Sequence, residues 1–316
     1  MSTIPSISEE SLLTYNYIKR QPQKKGKVSF FVLNRGGKFN RRELFAQLIS
    51  LNLGDVNFVE SPNFTFDSQE ISKDFPKLNF LMIQKKITWG EIINLIVQES
   101  LSDYVFILWS DMQLHSPSHF STNLKAALEL EHLYQVPHLF TQENEDVPSI
   151  QVPVMMKKKL LVMPLSQPKP QSLSIFPYDF CGLIHKPSFT AMTGYDGMIK
   201  TPFWQKMDFG FRAFLWGYQI VYNEALKCGY AMEQIPENTT PDKGYKYFYL
   251  KNIFVKVKNQ AASLDTWAFF RYLFKSDNGP YYSYKEFKMI QNWVRENHRK
   301  FMTDARNLID KWVIME

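Results

Sequence analysis

The chain reads as an α/β protein: a mostly parallel central sheet flanked by helices, followed by a C-terminal helical extension. Three observations predict this. Strand-like and helix-like segments alternate through the first third of the sequence, as expected where crossover helices join parallel strands. One of those strands, Asp103 to Trp109 (DYVFILW), is almost continuously apolar, as strands covered on both faces are. The third is capacity: 316 residues, 45% hydrophobic and 16% aromatic, are enough to bury a core of that size.

Lys27 to Leu33 (KVSFFVL) is rich in β-formers and ends at Asn34-Arg35-Gly36-Gly37, the punctuation of a strand entering a loop. Asn40 can cap a helix through Leu44, Leu48 and Leu51, and Asp55 to Glu60 reads as a second strand, completing a βαβ opening. Leu78 to Ile83 is a third strand. Thr88 caps a helix from Trp89 to Leu101, and after the Asp103 to Trp109 strand the chain breaks at Ser110-Asp111. It resumes after Pro117 as a helix through Leu130.

From Val136 to Pro177 the pattern becomes short strand-like pieces, Val152 to Met156 and Leu160 to Leu165. Lys157-Lys158-Lys159 between them reads as a solvated hairpin tip. Thr201 and Pro202 suit the start of a helix through Trp216, closed by Gly217, and Tyr218 to Tyr222 is another strand. Beyond Gly244, Tyr245 to Lys258, Leu264 to Phe274 and Ser283 to Lys311 all read as helix. Aromatic and basic residues interleave there, suiting a helical cap on the α/β domain or a surface that meets a membrane or a partner. The organisation is therefore a polar segment over 1–26, a domain over 27–243 and an extension over 244–316.

Charge narrows the partners without selecting one. Lys and Arg number 37 against 31 Asp and Glu, a formal +6 spread along the chain. That suits anionic ligands, and the excess is too mild to indicate nucleic acid. Cys181 and Cys228 cannot make a disulfide framework or a four-ligand zinc site, and they read as core thiols of a reducing compartment. The N-terminus is polar and acidic before it is basic, unlike a secretory signal, and no apolar run reaches the roughly 18 residues of a spanning helix. The expected location is the cytoplasm, or the inner face of a membrane as a peripheral protein.

Ligands of open parallel sheets bind beyond the carboxyl ends of strands. Three polar groups fall at such ends: Asn34-Arg35, Glu60 and Ser110-Asp111. No Gly-x-Ser-x-Gly elbow, phosphate-loop Gly-Lys-Thr or Cys/His cluster is present, and Gly36-Gly37 lacks the third spaced glycine of a nicotinamide fingerprint. His115 and His119 have helical spacing, but Pro117 lies between them.

The stretch Trp89-Gly90-Glu91-Ile92-Ile93-Asn94, then Ser102 through Trp109-Ser110-Asp111, resembles the inverting, family-2-like glycosyltransferases of GT-A fold, a Rossmann-like architecture. In those proteins a glycine and an asparagine on a helix precede a strand ending in Asp-x-Asp. Gly194-Tyr195-Asp196, Asp208-Phe209-Gly210-Phe211-Arg212 and Gly217-Tyr218 look like the acceptor-side signature of the same family. The similarity spans roughly residues 27 to 223.

The resemblance implies transfer of a sugar from a nucleotide-diphosphate sugar to a glycan, lipid-linked or protein acceptor. It places Asn34, Arg35, Glu60, Asn94, Ser110 and Asp111 at the donor, and makes Asp111 the ligand of a divalent cation, Mn or Mg. It departs from the family in two places. Trp109 stands at the first acid of Asp-x-Asp, and Gln205 and Lys206 stand where the Glu-Asp catalytic pair is expected. An acceptor hydroxyl needs a carboxylate to take its proton, and Asp208, Asp196 and Asp179 are the nearby acids, with Asp208 the first choice. Asp208 also has a structural reading, as a helix pair with Arg212. The replaced acids leave a second function in view: a degenerate GT-A-like protein that binds nucleotide sugar or glycan without turnover.

Overall fold

In a computed structural model of the chain, the described residues are 15–20, 26–35, 41–62, 68–141, 150–156, 159–165, 174, 177–215, 217–230, 248 and 256–257. Among them, a nine-stranded sheet forms from β1 (Tyr15–Ile18), β2 (Val28–Leu33), β3 (Val56–Glu60), β4 (Asn79–Ile83), β5 (Tyr104–Trp109), β6 (Met112–Leu114), β7 (Tyr134–Phe140), β10 (Gly182–His185) and β11 (Ile220–Tyr230). Their spatial order is β1-β4-β3-β2-β5-β10-β7-β11-β6. The sheet is mixed. Its parallel block is β4-β3-β2-β5; β10 runs antiparallel to both β5 and β7, and β6 and β1 close the two edges antiparallel to their neighbours.

Burial explains why the central strands lack alternation. Every residue of β2, β3 and β5 is buried. Helix α1 (Arg41–Leu51) packs with α4 (Pro117–Ala127), while α3 (Trp89–Glu99) packs with α5 (Lys186–Ala191) and α6 (Pro202–Leu215), so two separate helical groups cover the sheet. Helix α2 (Ser68–Asp74) is short and buries Ile71 alone among its side chains. Phe45 of α1 meets Phe58 of β3 edge-on at 5.2 Å, and Phe58 meets Phe80 of β4 at 6.4 Å. The buried Asn57 amide is satisfied at both ends: its Nδ2 donates to the Phe30 carbonyl at 3.0 Å, and its Oδ1 accepts from Tyr17 and Asn79.

Most sequence-predicted elements fall where expected. Helix α3 begins at a capping box: the Thr88 hydroxyl accepts from the Glu91 N–H, and the Glu91 carboxylate returns to the Thr88 N–H at 2.8 Å. The strand expected over Tyr218 to Tyr222 is longer, running to Tyr230 as β11. The strands β8 (Ile150–Met156) and β9 (Lys159–Leu165) pair antiparallel with Met156 opposite Lys159, in a three-stranded sheet with β12 (Lys256–Val257). Lys157 and Lys158 lie outside the described residues.

Strand β12 corrects one expectation. The stretch Tyr245 to Lys258 reads as helix, yet Lys256 and Val257 pair parallel to Leu161 and Val162 of β9, a tertiary ladder no local pattern announces. Phe248 is fully buried against Trp204 of α6 at 5.2 Å. The helices expected over Leu264 to Phe274 and Ser283 to Lys311 lie outside the described residues. Among the described residues no helix is long and apolar enough to cross a membrane.

Candidate functional site

The carboxyl ends of β2, β3 and β5 are stitched together by backbone. The Asn34 N–H donates to the Val59 carbonyl and the Ser110 N–H to the Leu33 carbonyl, each at 2.9 Å. This register brings Asn34, Arg35, Glu60, Ser110 and Asp111 to one edge, and all but Arg35 are buried. The Ser110 hydroxyl accepts from the Arg35 N–H at 3.1 Å, aiming the Arg35 side chain across the end of β5.

Arg35 is the hub. Its two terminal nitrogens reach different carboxylates, Asp111 Oδ1 at 2.9 Å and Asp179 Oδ2 at 2.6 Å. The guanidinium lies over the Trp109 ring at 4.2 Å and near the Tyr230 ring at 5.5 Å. Burial works against its charge, but Asp179 and Asp111 together more than offset that, and its pKa is raised.

Asp179 arrives by an unusual backbone route. It sits in a short 3-10 turn, Tyr178–Phe180, with φ 46° at Asp179 and 56° at Phe180, both in the left-handed region. Three bonds hold the turn. The Trp109 Nε1–H donates to the Asp179 carbonyl at 2.6 Å, the Tyr134 hydroxyl to the Phe180 carbonyl at 2.7 Å, and the Tyr230 hydroxyl to Asp179 Oδ2 at 2.7 Å. Burial and then Asp179 push the Tyr230 hydroxyl well above the usual tyrosine pKa, with Arg35 acting the other way. Tyr230 is delivered by the pairing of β11 with β6, which sets it opposite Met112, next to Asp111.

Lys206 of α6 approaches from the other side, its Nζ 5.3 Å from the centre of the Phe180 ring. Burial lowers its pKa to about 7; Asp179 opposes that shift and Arg35 adds to it. Neither Asp179, Tyr230 nor Lys206 carries a sequence signal for this placement. They converge through left-handed backbone, a three-residue strand and the far end of β11.

The motif-like residues of α3 and α6 form a second constellation. Asn94 clasps Tyr195 with both ends of its amide, donating to the carbonyl and accepting from the N–H, each at 2.8 Å. Gln205 accepts from the Gly90 N–H at 3.0 Å and donates to the Thr88 hydroxyl at 2.9 Å and the Asp196 carbonyl at 3.1 Å. Asp208 is fully buried and accepts from Arg212 Nε at 2.8 Å, while Arg212 donates to the Met192 and Gly194 carbonyls at 2.8 and 2.6 Å. Asp196 is half-buried, and its carboxylate caps the Met198 N–H at 2.8 Å. The two constellations meet where Trp89 packs edge-on against Trp109 at 4.7 Å.

The fit of a divalent cation follows from the donor set. Asp111 and Asp179 both already accept from one guanidinium, and the indole at position 109 presents an N–H rather than an oxygen. Among the described residues, no group of three or more His, Cys, Asp or Glu could hold a metal ion. As arranged, these carboxylates fit a guanidinium and not a divalent ion.

The fold is that of the GT-A glycosyltransferases. GalNAc-T7, crystallised with UDP, GalNAc and Mn2+, superposes with TM-score 0.57 at 11% identity over 91% of this chain and 58% of that one. Residues 1–349 of S. aureus TarS, in complex with UDP-GlcNAc, superpose with TM-score 0.50 at 13% identity over 72% of this chain and 65% of that one. The chain thus spans less than two thirds of either structure. No protein-family model and no curated protein matches it in sequence.

Proposed function

We propose that the chain is an inverting, family-2-like glycosyltransferase that binds a nucleotide-diphosphate sugar at the carboxyl ends of β2, β3 and β5. The observation that carries the reading is the convergence, on a GT-A sheet, of Asn34, Arg35, Glu60, Ser110 and Asp111 at the one edge where open α/β sheets take ligands. Glu60 suits the nucleoside, since a carboxylate accepts from ribose hydroxyls or a base N–H. Arg35 suits the diphosphate.

In the transfer, the acceptor hydroxyl oxygen attacks the anomeric carbon, the bond to the diphosphate breaks, and a carboxylate takes the hydroxyl proton. We assign that carboxylate to Asp196, the half-buried acid of the acceptor-side loop, and give Asp208 and Asn94 bracing roles in place of proton transfer and donor contact. The acceptor class is a glycan, a lipid-linked sugar or a protein. The resemblance also carries a divalent cation, and GalNAc-T7 was crystallised with Mn2+; Asp111 here is held by Arg35, so no step of this reading runs through a metal. The donor-binding unit spans 27–243, with 244–316 as an extension. The buried free thiols Cys181 and Cys228 suit a reducing cytoplasm.

Calorimetric titration of the full chain with UDP, GDP, CDP and dTDP and their sugars tests the reading. Binding of at least one of these, followed by sugar transfer or slow sugar release, is the expected result. Absence of any nucleotide binding at millimolar concentration overturns it. Binding with no release or transfer to any acceptor leaves a sugar-nucleotide-binding protein without turnover.

A further inference from the structure

We propose that Arg35 is a built-in counter-cation, bridging Asp111 Oδ1 and Asp179 Oδ2 as a divalent ion between those two oxygens would, so that this chain binds a nucleoside diphosphate without metal. The inference rests on the donor-site reading above and deepens it: that reading sets Arg35 against the diphosphate, and the inference is that Arg35 takes the place of the metal there.

Geometry comes first. A divalent cation bridging two acids needs their oxygens, and here one oxygen of each faces a nitrogen of the same guanidinium, at 2.9 and 2.6 Å. The position is held from three further directions. Trp109 lies beneath the guanidinium, Tyr230 stands beside it, and Ser110 fixes the Arg35 backbone. Trp109 also directs its N–H to the Asp179 carbonyl, which keeps the Asp179 turn close to the Arg35 side chain. An arginine stays charged at any working pH and carries five N–H donors in a planar fork matched to phosphate. Two of those face the carboxylates, and the Nε–H has no hydrogen-bond partner among the described residues.

Charge comes second. Two buried carboxylates, Asp111 and Asp179, stand with two basic side chains, the buried Lys206 and the half-buried Arg35, in one cluster. With Lys206 protonated, that balance equals the one two acids reach with a single divalent ion; with Lys206 neutral, Arg35 remains as the fixed cation of the cluster. Adding a divalent ion instead would put it against a fixed guanidinium in a poorly screened site.

The test is UDP binding, measured by calorimetry on the full chain in EDTA and again in millimolar Mn2+, with GDP, CDP and dTDP replacing UDP if one of them binds more tightly. The expected dissociation constants in the two buffers agree within about twofold. Arg35→Lys, which keeps the charge but loses the fork, should weaken binding in EDTA by roughly tenfold, one good charge-assisted contact's worth. Asp111→Asn should tighten it severalfold by removing a carboxylate that competes for Arg35; a metal ligand at Asp111 predicts the opposite, loss of Mn2+-stimulated binding.

Circular dichroism and melting curves accompany each variant, and if Arg35→Lys does not fold, the Asp111→Asn result decides. Binding seen only with Mn2+ overturns the inference and leaves the donor site standing, as does an Arg35→Lys protein that folds and binds like wild type. Failure of every nucleotide in both buffers overturns the inference together with the donor-site reading.

Discussion

Asp208 is completely buried, bonded to Arg212 Nε, and Arg212 in turn holds two carbonyls of the 192–194 loop. Asp196, in the following turn, is half-buried and caps the Met198 N–H. Two acids so placed should fail differently when neutralised. Asp208→Asn removes one partner of a buried pair and should destabilise the protein by about 3 kcal/mol, lowering the melting temperature and any transfer rate together. Asp196→Asn should leave melting nearly unchanged and, if Asp196 takes the acceptor proton, cut single-turnover transfer by roughly a hundredfold or more with donor affinity intact. A catalytic loss for Asp208→Asn at unchanged melting temperature, alongside a silent Asp196→Asn, would exchange the two assignments. Sequence makes Asp208 the first choice because it lies nearest the position a missing acid would hold. Side-chain burial, on which the proposed preference for Asp196 rests, is invisible there.

At the scale of elements, the glycine and asparagine of α3 acquire a physical role. A Cβ on Gly90 would lie 2.4 Å from Gln205 Cδ, so the helix can accept the Gln205 amide only because position 90 has no side chain. Gly90→Ala should therefore displace Gln205 from its bonds to Gly90, Thr88 and Asp196, with a net destabilisation of about 1–2 kcal/mol, the lost buried bonds outweighing the better helix propensity of alanine. Urea denaturation measures this, and a stabilised Gly90→Ala would mean that Gln205 relocates without loss. Helix α3 and strand β5 were legible because each is locally decided, the first by its Thr88–Glu91 capping box and the second by an unbroken apolar run. Strands β6, β10 and β12 have two to four residues each and exist through their neighbours' hydrogen bonds, so nothing local marks them. The candidate site divides the same way. The strand-end residues Asn34, Arg35, Glu60, Ser110 and Asp111 follow from periodicity, whereas Asp179 depends on two consecutive left-handed residues held by Trp109, Tyr134 and Tyr230.

Across the whole molecule, the Arg35 cluster joins β2, β5, β11, the 3-10 turn and α6, so its ionisation state is coupled to global stability. Lys206 is the group to follow. Its folded pKa is lowered to about 7 by burial, with Asp179 opposing and Arg35 reinforcing the shift, while in the unfolded chain it returns to the ordinary lysine value. Between those two values the unfolded chain binds one more proton than the folded chain, so stability must rise with pH across that interval. Below about pH 7 the folded protein carries the full penalty of a buried ammonium; above the ordinary lysine pKa that penalty is gone. The buried tyrosines Tyr134, Tyr195 and Tyr230 have raised pKa values, chiefly through burial, and act in the other sense, but only above about pH 10. Comparison with Lys206→Met separates the two. The stability of wild type relative to Lys206→Met, from urea denaturation between about pH 7 and pH 10, should increase by on the order of 1 kcal/mol per pH unit, and the tyrosine contributions should cancel. A difference that stays flat over this range would mean that Lys206 keeps its proton when folded, paired more strongly with Asp179 than its burial implies.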